Sequence, residues 1–209
     1  MTTTVDPTSG AGADEAGRRD ALADRLFQSM IGSFELASVW LGLRLRLYEA
    51  LREGGPATVA ELSERAGIDA RYAREWLEQQ AVAGLLDVED AGTGAETRRY
   101  RLPDAHADVL LDADHPAHAG ATAYWMGSLA EVLQRIPGIY RSGAGLPYPE
   151  YGADCRLAIA NFNRLMFVND LADWFATVPE LQARPRPAGR RRGRDRGRRE
   201  GRRDLHRSR

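Results

Sequence analysis

Between residues 58 and 102 the sequence is punctuated at short intervals by residues that start and stop helices. Thr58 and Glu61 have the spacing of a capping box, in which each side chain satisfies the other's free backbone N–H at a helix start. A short helix is therefore predicted over Val59–Ala66. Gly67 ends it, Asp69 caps a second helix over 70–83, and Gly84 stops that one, with Tyr72, Trp76 and Leu77 facing inward. Leu86 and Val88, a loop holding Gly92 and Gly94, and then Tyr100 and Leu102 alternating with Arg99 and Arg101 predict a β-hairpin. Two short helices joined by a turn and followed by a hairpin make a winged helix-turn-helix. The expected fold class is mainly α, with one small β-hairpin and additional long helices.

Those helices lie on both sides. Over residues 22–51 the apolar set Leu22, Leu26, Met30, Phe34, Ala37 and Leu41 recurs at helical spacing, and Phe27, Ile31, Val39, Trp40, Leu43 and Leu47 add a second apolar side. A helix apolar nearly all round is buried in a core or against another subunit, so a homodimer contact is expected here, with Gly32 and Gly42 as breaks or bends. Arg44 and Arg46 interrupt the most apolar region, so no membrane span is expected. The first twenty residues are small and polar without a secretory pattern, which predicts a disordered N-terminus and a cytoplasmic protein.

Downstream, Asp114-His115-Pro116 suits a helix start, since proline is tolerated where its missing N–H is not needed. That helix is expected to run to about Ile136 and to end at Pro137. Residues 141–152, rich in glycine and proline, are a loop, and a mostly buried helix follows over 154–176 with Leu157, Phe162, Leu165, Phe167, Trp174 and Phe175. The single cysteine, Cys155, has no disulfide partner in the chain and is expected to be a small buried helix residue. The segments are thus a disordered 1–20, dimerisation helices and winged helix over 21–104, a helical linker or lid over 105–181, and a disordered arginine-rich tail over 182–209.

Charge narrows the functional classes. All 29 basic residues are arginine; 13 of them fall from Arg184 onward against three acids, a net of +10, which leaves −11 for residues 1–183. An acidic folded part repels phosphate, and the second helix of the helix-turn-helix offers Glu75 and Glu78 beside Arg71 and Arg74. Nucleic acid is therefore not the expected partner of the folded part, although a winged-helix transcriptional regulator is the alternative class and a bare dimerisation module a third. Asp112, Asp114, His115 and His118 include two histidines three apart, but capping and turn chemistry account for the same residues, and no metal is expected. Gly143-Ala144-Gly145 follows no strand and precedes prolines, so it is a hinge or lid rather than a phosphate loop.

The order of elements, an apolar helix, a winged helix, a helix beginning DHPAH, the loop GLPYPEYG and a helix carrying FNRLM, resembles the N-terminal region of small-molecule O-methyltransferases that use S-adenosylmethionine. Phe162, Asn163 and Met166 match the F-N-x-x-M of the helix that lies over the substrate pocket in that family. The resemblance implies a homodimer, a small-molecule acceptor, and a lid-side substrate surface of Tyr148, Tyr151, Phe162, Asn163, Met166 and Phe167. In the family a strand and glycine-rich turn for the cofactor follow, whereas here residues 190–204 read RRRGRDRGRREGRRD. No cofactor is expected for this chain, S-adenosylmethionine belonging to the intact parent, and no catalytic residue is assigned. Arginine without lysine suggests GC-rich coding, and CGN codons read one nucleotide later give Val, Ala, Asp or Gly; a frameshift between about residues 181 and 189 is the expected cause, with a true basic tail as the alternative.

Overall fold

The winged helix is built as its caps predict. In the computed structural model, which describes residues 8–89, 92 and 94–178, helix α3 spans Val59–Ala66. The backbone N–H of Thr58 donates to Glu61 Oε2 at 2.8 Å and that of Glu61 donates to Thr58 Oγ1 at 3.3 Å, so the capping box closes in both directions. Gly67, at φ 64°, takes the left-handed conformation that ends α3. Asp69 Oδ1 accepts the N–H of Arg71 at 2.9 Å and starts α4, Ala70–Val82. Strands β1, Asp87–Glu89, and β2, Arg99–Arg101, pair antiparallel with Val88 opposite Tyr100. Ala57 and Tyr100 exchange backbone hydrogen bonds of 3.0 and 2.8 Å, which pins the wing to the start of α3.

Helix α1, Thr8–Arg44, differs from expectation at both ends. It begins inside the segment assigned to a disordered N-terminus, where Arg18 pairs with Asp14 at 2.7 Å and Glu15 at 3.2 Å, one helical turn back. By length and composition the stretch Asp14–Arg44 would pass for a membrane span, contrary to the expectation that Arg44 and Arg46 exclude one. It also continues through Gly32 and Gly42. A Cβ on Gly42 would lie 2.6 Å from both Trp76 and Tyr48, so that glycine serves close packing rather than a bend. The break falls at Arg46, a non-glycine residue at φ 57°, which turns the chain into α2, Leu47–Gly54. Residues 1–7 and the arginine-rich tail lie outside the described residues.

Val39 and Leu43 of α1, Leu47, Tyr48 and Leu51 of α2, Leu62 of α3, Trp76 and Leu77 of α4, and Tyr100 of the wing form the core. Tyr48 and Trp76 meet edge to face with centroids 5.0 Å apart. Tyr72, expected to face inward, is exposed, because it lies on the solvent side of α4.

After the wing the element boundaries depart from the sequence reading. A helix α5, Asp104–Leu111, follows Pro103 and buries Ala107 and Leu110. Residues 112–120 are a turn rather than a helix start: Asp112 Oδ1 accepts the N–H of Asp114 at 3.0 Å, His115 Nδ1 accepts that of Ala117 at 3.1 Å, and α6 begins only at Ala121 and runs to Val132. Pro137 sits in the first turn of α7, Ile136–Ser142, and a 3-10 turn, Tyr148–Tyr151, leads into α8, Gly152–Asn169. The chain divides at Leu171, and the described part of the second unit holds the end of a short separate helix, α9, Leu171–Ala176. The expected single buried helix over 154–176 is thus two helices, and Phe162, Phe167, Trp174 and Phe175 are exposed.

Candidate functional site

Two surfaces have the makings of a site: the helix-turn-helix with its wing, and the face of α8. On the first, four cations are already engaged, while Arg98 of the wing keeps its Nε buried without a hydrogen-bond partner. Arg74 pairs with Glu96, Arg71 with Glu75 at 4.0 Å, Arg99 with Glu61 at 2.9 Å, and Arg101 with Asp87 and, at 3.5 Å, with Glu89. Arg99 also donates to the carbonyl of Pro56 at 2.5 Å. The backbone N–H of Thr58 and the Arg99 guanidinium hold the Glu61 carboxyl below its ordinary range, so this acid stays ionised beside the wing. A phosphate approaching the wing therefore meets carboxylates alternating with arginines. Tyr48, at the centre of the core, donates to Gln80 Oε1, whose amide donates to Ser38 Oγ at 3.1 Å and Gln79 Oε1 at 2.6 Å. Burial, and then the nearby Glu35 charge, push the Tyr48 phenol far up, so it remains a neutral donor that ties α1, α2 and α4 together.

The second surface rests on a buried carboxylate. Asp154, 5% exposed, stands in the first turn of α8, where the helix dipole favours an anion. It accepts the indole N–H of Trp40 at 2.6 Å and lies 3.5 Å from Arg44, and Gly127 of α6 makes room for it, since a Cβ there would collide with both Asp154 and Trp40. Ser128 Oγ donates to the carbonyl of Tyr151 at 3.0 Å. Farther along, Arg164 grips Asp114 with two bonds of 2.6 and 2.8 Å, and Asn169 donates to the Asp114 carbonyl at 3.3 Å. The arginine holds the Asp114 carboxyl below its ordinary range. Aspartate and histidine of this turn thus serve the backbone and an ion pair, and among the described residues no group of three metal-ligating side chains converges.

So anchored, α8 presents the candidate residues. Cys155 and Ala158 are buried, while Phe162 and Met166, the next positions on the same stripe, are exposed. Asn163 and Phe167 flank them, also exposed. The structure therefore groups Phe162, Asn163, Met166 and Phe167 on one side of the second half of α8. Tyr148 and the half-buried Tyr151 sit before its first turn, Tyr151 roughly 16 Å from Phe162 along the helix axis. Trp40, Gly127 and Asp154 come together only in the fold; the local signal in the sequence is a glycine inside the apolar stretch of α6.

The helix-turn-helix, hairpin and flanking helices match a known domain. Residues 36–111 fit the family model described as the Rv2258c-like winged HTH domain. No curated protein matches the sequence. Among solved structures, mitomycin 7-O-methyltransferase MmcR aligns with a TM-score of 0.52 at 20% identity, over 76% of this chain and 47% of that one. PigF, solved with SAH, aligns with a TM-score of 0.51 at 20% identity, over 74% and 47%. Human N-acetylserotonin methyltransferase, solved with SAM, aligns with a TM-score of 0.50 at 18% identity, over 82% and 49%. The chain spans under half the length of these structures, and at such identities the likeness is one of fold.

Proposed function

We propose that this chain is the winged-helix, N-terminal portion of an S-adenosylmethionine-dependent methyltransferase that acts on a small molecule, and that its winged helix is a scaffold rather than a DNA reader. The observation that carries this reading is the pairing of Arg71, Arg74, Arg99 and Arg101 on α4 and the wing with carboxylates, in a fold whose likeness to an O-methyltransferase covers 76% of this chain. In this proposal α1 joins two copies, and the Phe162, Asn163, Met166 and Phe167 face forms the lid side of the acceptor pocket.

Nothing among the described residues fits the cofactor. Their one sheet is a two-stranded antiparallel hairpin, whereas a Rossmann-type site needs a parallel strand followed by a glycine turn at a helix N-terminus. Calorimetry is the test. The 209-residue chain should give no heat with S-adenosylmethionine, and the protein translated in the frame that restores a strand and glycine turn should bind it. Micromolar binding by the 209-residue chain sinks the reading. So does tight, salt-dependent binding of duplex DNA by a chain ending at residue 178, since that is the behaviour of a transcriptional regulator.

A further inference from the structure

The wing divides its arginines between two faces. Alternation along β2 sends Arg99 and Arg101 to one side, where carboxylates hold both, and leaves Tyr100 with the preceding Arg98 on the other. On that second side Arg98, Tyr100 and Val88, the cross-strand partner of Tyr100, close a cavity of about 330 Å³ against the end of α4. The helix contributes Glu78, Ala81 and Val82, which share one face at helical spacing. The volume lies at the lower end of the range of small-molecule sites.

Two polar atoms on the lining are stranded. The Tyr100 hydroxyl, on a side chain with no exposed surface, and the Nε of Arg98 are both cut off from water without a hydrogen-bond partner. Tyr48, equally buried, donates to Gln80 instead. Among the described residues four side-chain atoms are stranded in this way, and two of them border this one cavity. A buried donor without an acceptor carries the full cost of its lost hydration, so a fold retains one where a partner or a function accounts for it. Here both atoms donate, one of them from a cation, and the two oxygens of a carboxylate satisfy such a pair. Ala81, Val82 and Val88 offer apolar contact to the rest of the molecule. Glu78 lines the same cavity, and among the described residues no ion pair joins it to Arg98. A ligand lying between them must therefore keep its acid group off Glu78 and offer that carboxylate a donor. We infer that the cavity between α4 and the wing binds a small carboxylic acid with an apolar body and a hydrogen-bond donor at its far end. Arg98 and Tyr100 hold the acid group and Glu78 takes the donor. Arg98 is only half-buried, so its side chain can move aside to admit the acid group and close over it. The site does not depend on methyl transfer.

The probe is para-hydroxybenzoate, titrated into the full chain by calorimetry. Wild type should bind it at millimolar concentration or below. Benzoate, which lacks the donor, and para-hydroxybenzamide, which lacks the charge, should each bind roughly tenfold more weakly. Tyr100→Phe and Arg98→Met should each weaken para-hydroxybenzoate to a similar degree, and Glu78→Gln should narrow its advantage over benzoate. Without the probe, Tyr100→Phe should melt no lower than wild type, because the hydroxyl it removes has no partner. A clear fall in that melting temperature shows a partnered hydroxyl and overturns the site. So does the absence of binding at millimolar probe, or binding that neither Tyr100→Phe nor Arg98→Met weakens. Equal binding of the benzamide overturns the assignment of a carboxylate. Titration with S-adenosylmethionine tests the proposed function separately, so either reading can fail without the other.

Discussion

Gly42 and Gly32 occupy the same helix and the same role in a propensity scale, but their surroundings make opposite demands. A methyl at Gly42 would press on Trp76 and Tyr48, at the best-packed point of the core, whereas a Cβ on Gly32 meets nothing within 4 Å. Gly42→Ala should therefore destabilise by roughly 1–3 kcal/mol through overpacking. Gly32→Ala should stabilise by about 0.5–1 kcal/mol, the ordinary gain from removing a helix-interior glycine. Urea unfolding of the two variants compares them directly, and a loss at position 32 or a gain at 42 contradicts the packing described. His118 makes a different residue-scale prediction. Burial lowers its pKa, against smaller opposing pulls from the Val109 backbone and Asp112, so the unfolded chain takes up the proton more readily. The stability this supports is complete above the ordinary imidazole value of 6.5 and is lost as pH falls through that value toward the lower folded one. His118→Gln should flatten the stability profile between about pH 7 and 5, and an unchanged slope in that interval removes His118 as its source.

At the scale of elements, what was legible in the sequence was what is decided locally. Thr58, Glu61, Gly67 and Asp69 act on backbone groups within a few residues of themselves, and α3 and α4 start and stop where those residues say. Thr58→Ala should accordingly cost about 1 kcal/mol, since Glu61 loses its N–H acceptor in the first turn. If thermal melts of that variant coincide with wild type, the box contributes nothing to stability. Elements decided by tertiary packing were not legible. Asp114-His115-Pro116 has the chemistry of a helix start, but Asp112 and His115 spend their side chains on turn N–H groups and Asp114 is held by Arg164, fifty residues away. The end of α1 could not be read either, because its cause is a left-handed arginine at position 46 where glycine would be the usual choice. On α8, the F-N-x-x-M positions are indistinguishable from core by spacing alone. Only the structure shows the stripe passing from buried Ala158 to exposed Phe162.

For the molecule as a whole, the apolar surface left open is an informative property: α1 and α8 carry much of it, and α4, α6, α7 and α9 add Val82, Trp125, Leu129, Tyr140 and Trp174. Beyond α1, the exposed apolar residues include Leu157, Phe162, Met166, Phe167 and Val168, all on α8. Isolated exposed apolar residues need no explanation, whereas Phe162 and Met166, neighbours on one stripe of α8, mark a surface that something covers. The proposed function assigns that cover to the acceptor and the cofactor-binding part of the parent enzyme, and the assignment makes a prediction that separates it from chance exposure. In the 209-residue chain, Phe162→Ser and Met166→Ser remove side chains that water already reaches, so each should change stability by less than about 0.5 kcal/mol. In the protein carrying a restored strand and glycine turn, the same side chains would lie against a pocket. There each substitution should lower the melting temperature or weaken acceptor binding several-fold, because a buried apolar contact is lost and a hydroxyl is desolvated in its place. Melting curves and acceptor titrations of both forms provide the comparison. Equal, negligible effects in the two contexts would show that the α8 face is ordinary surface and would remove the lid from the proposal, whatever becomes of the fold.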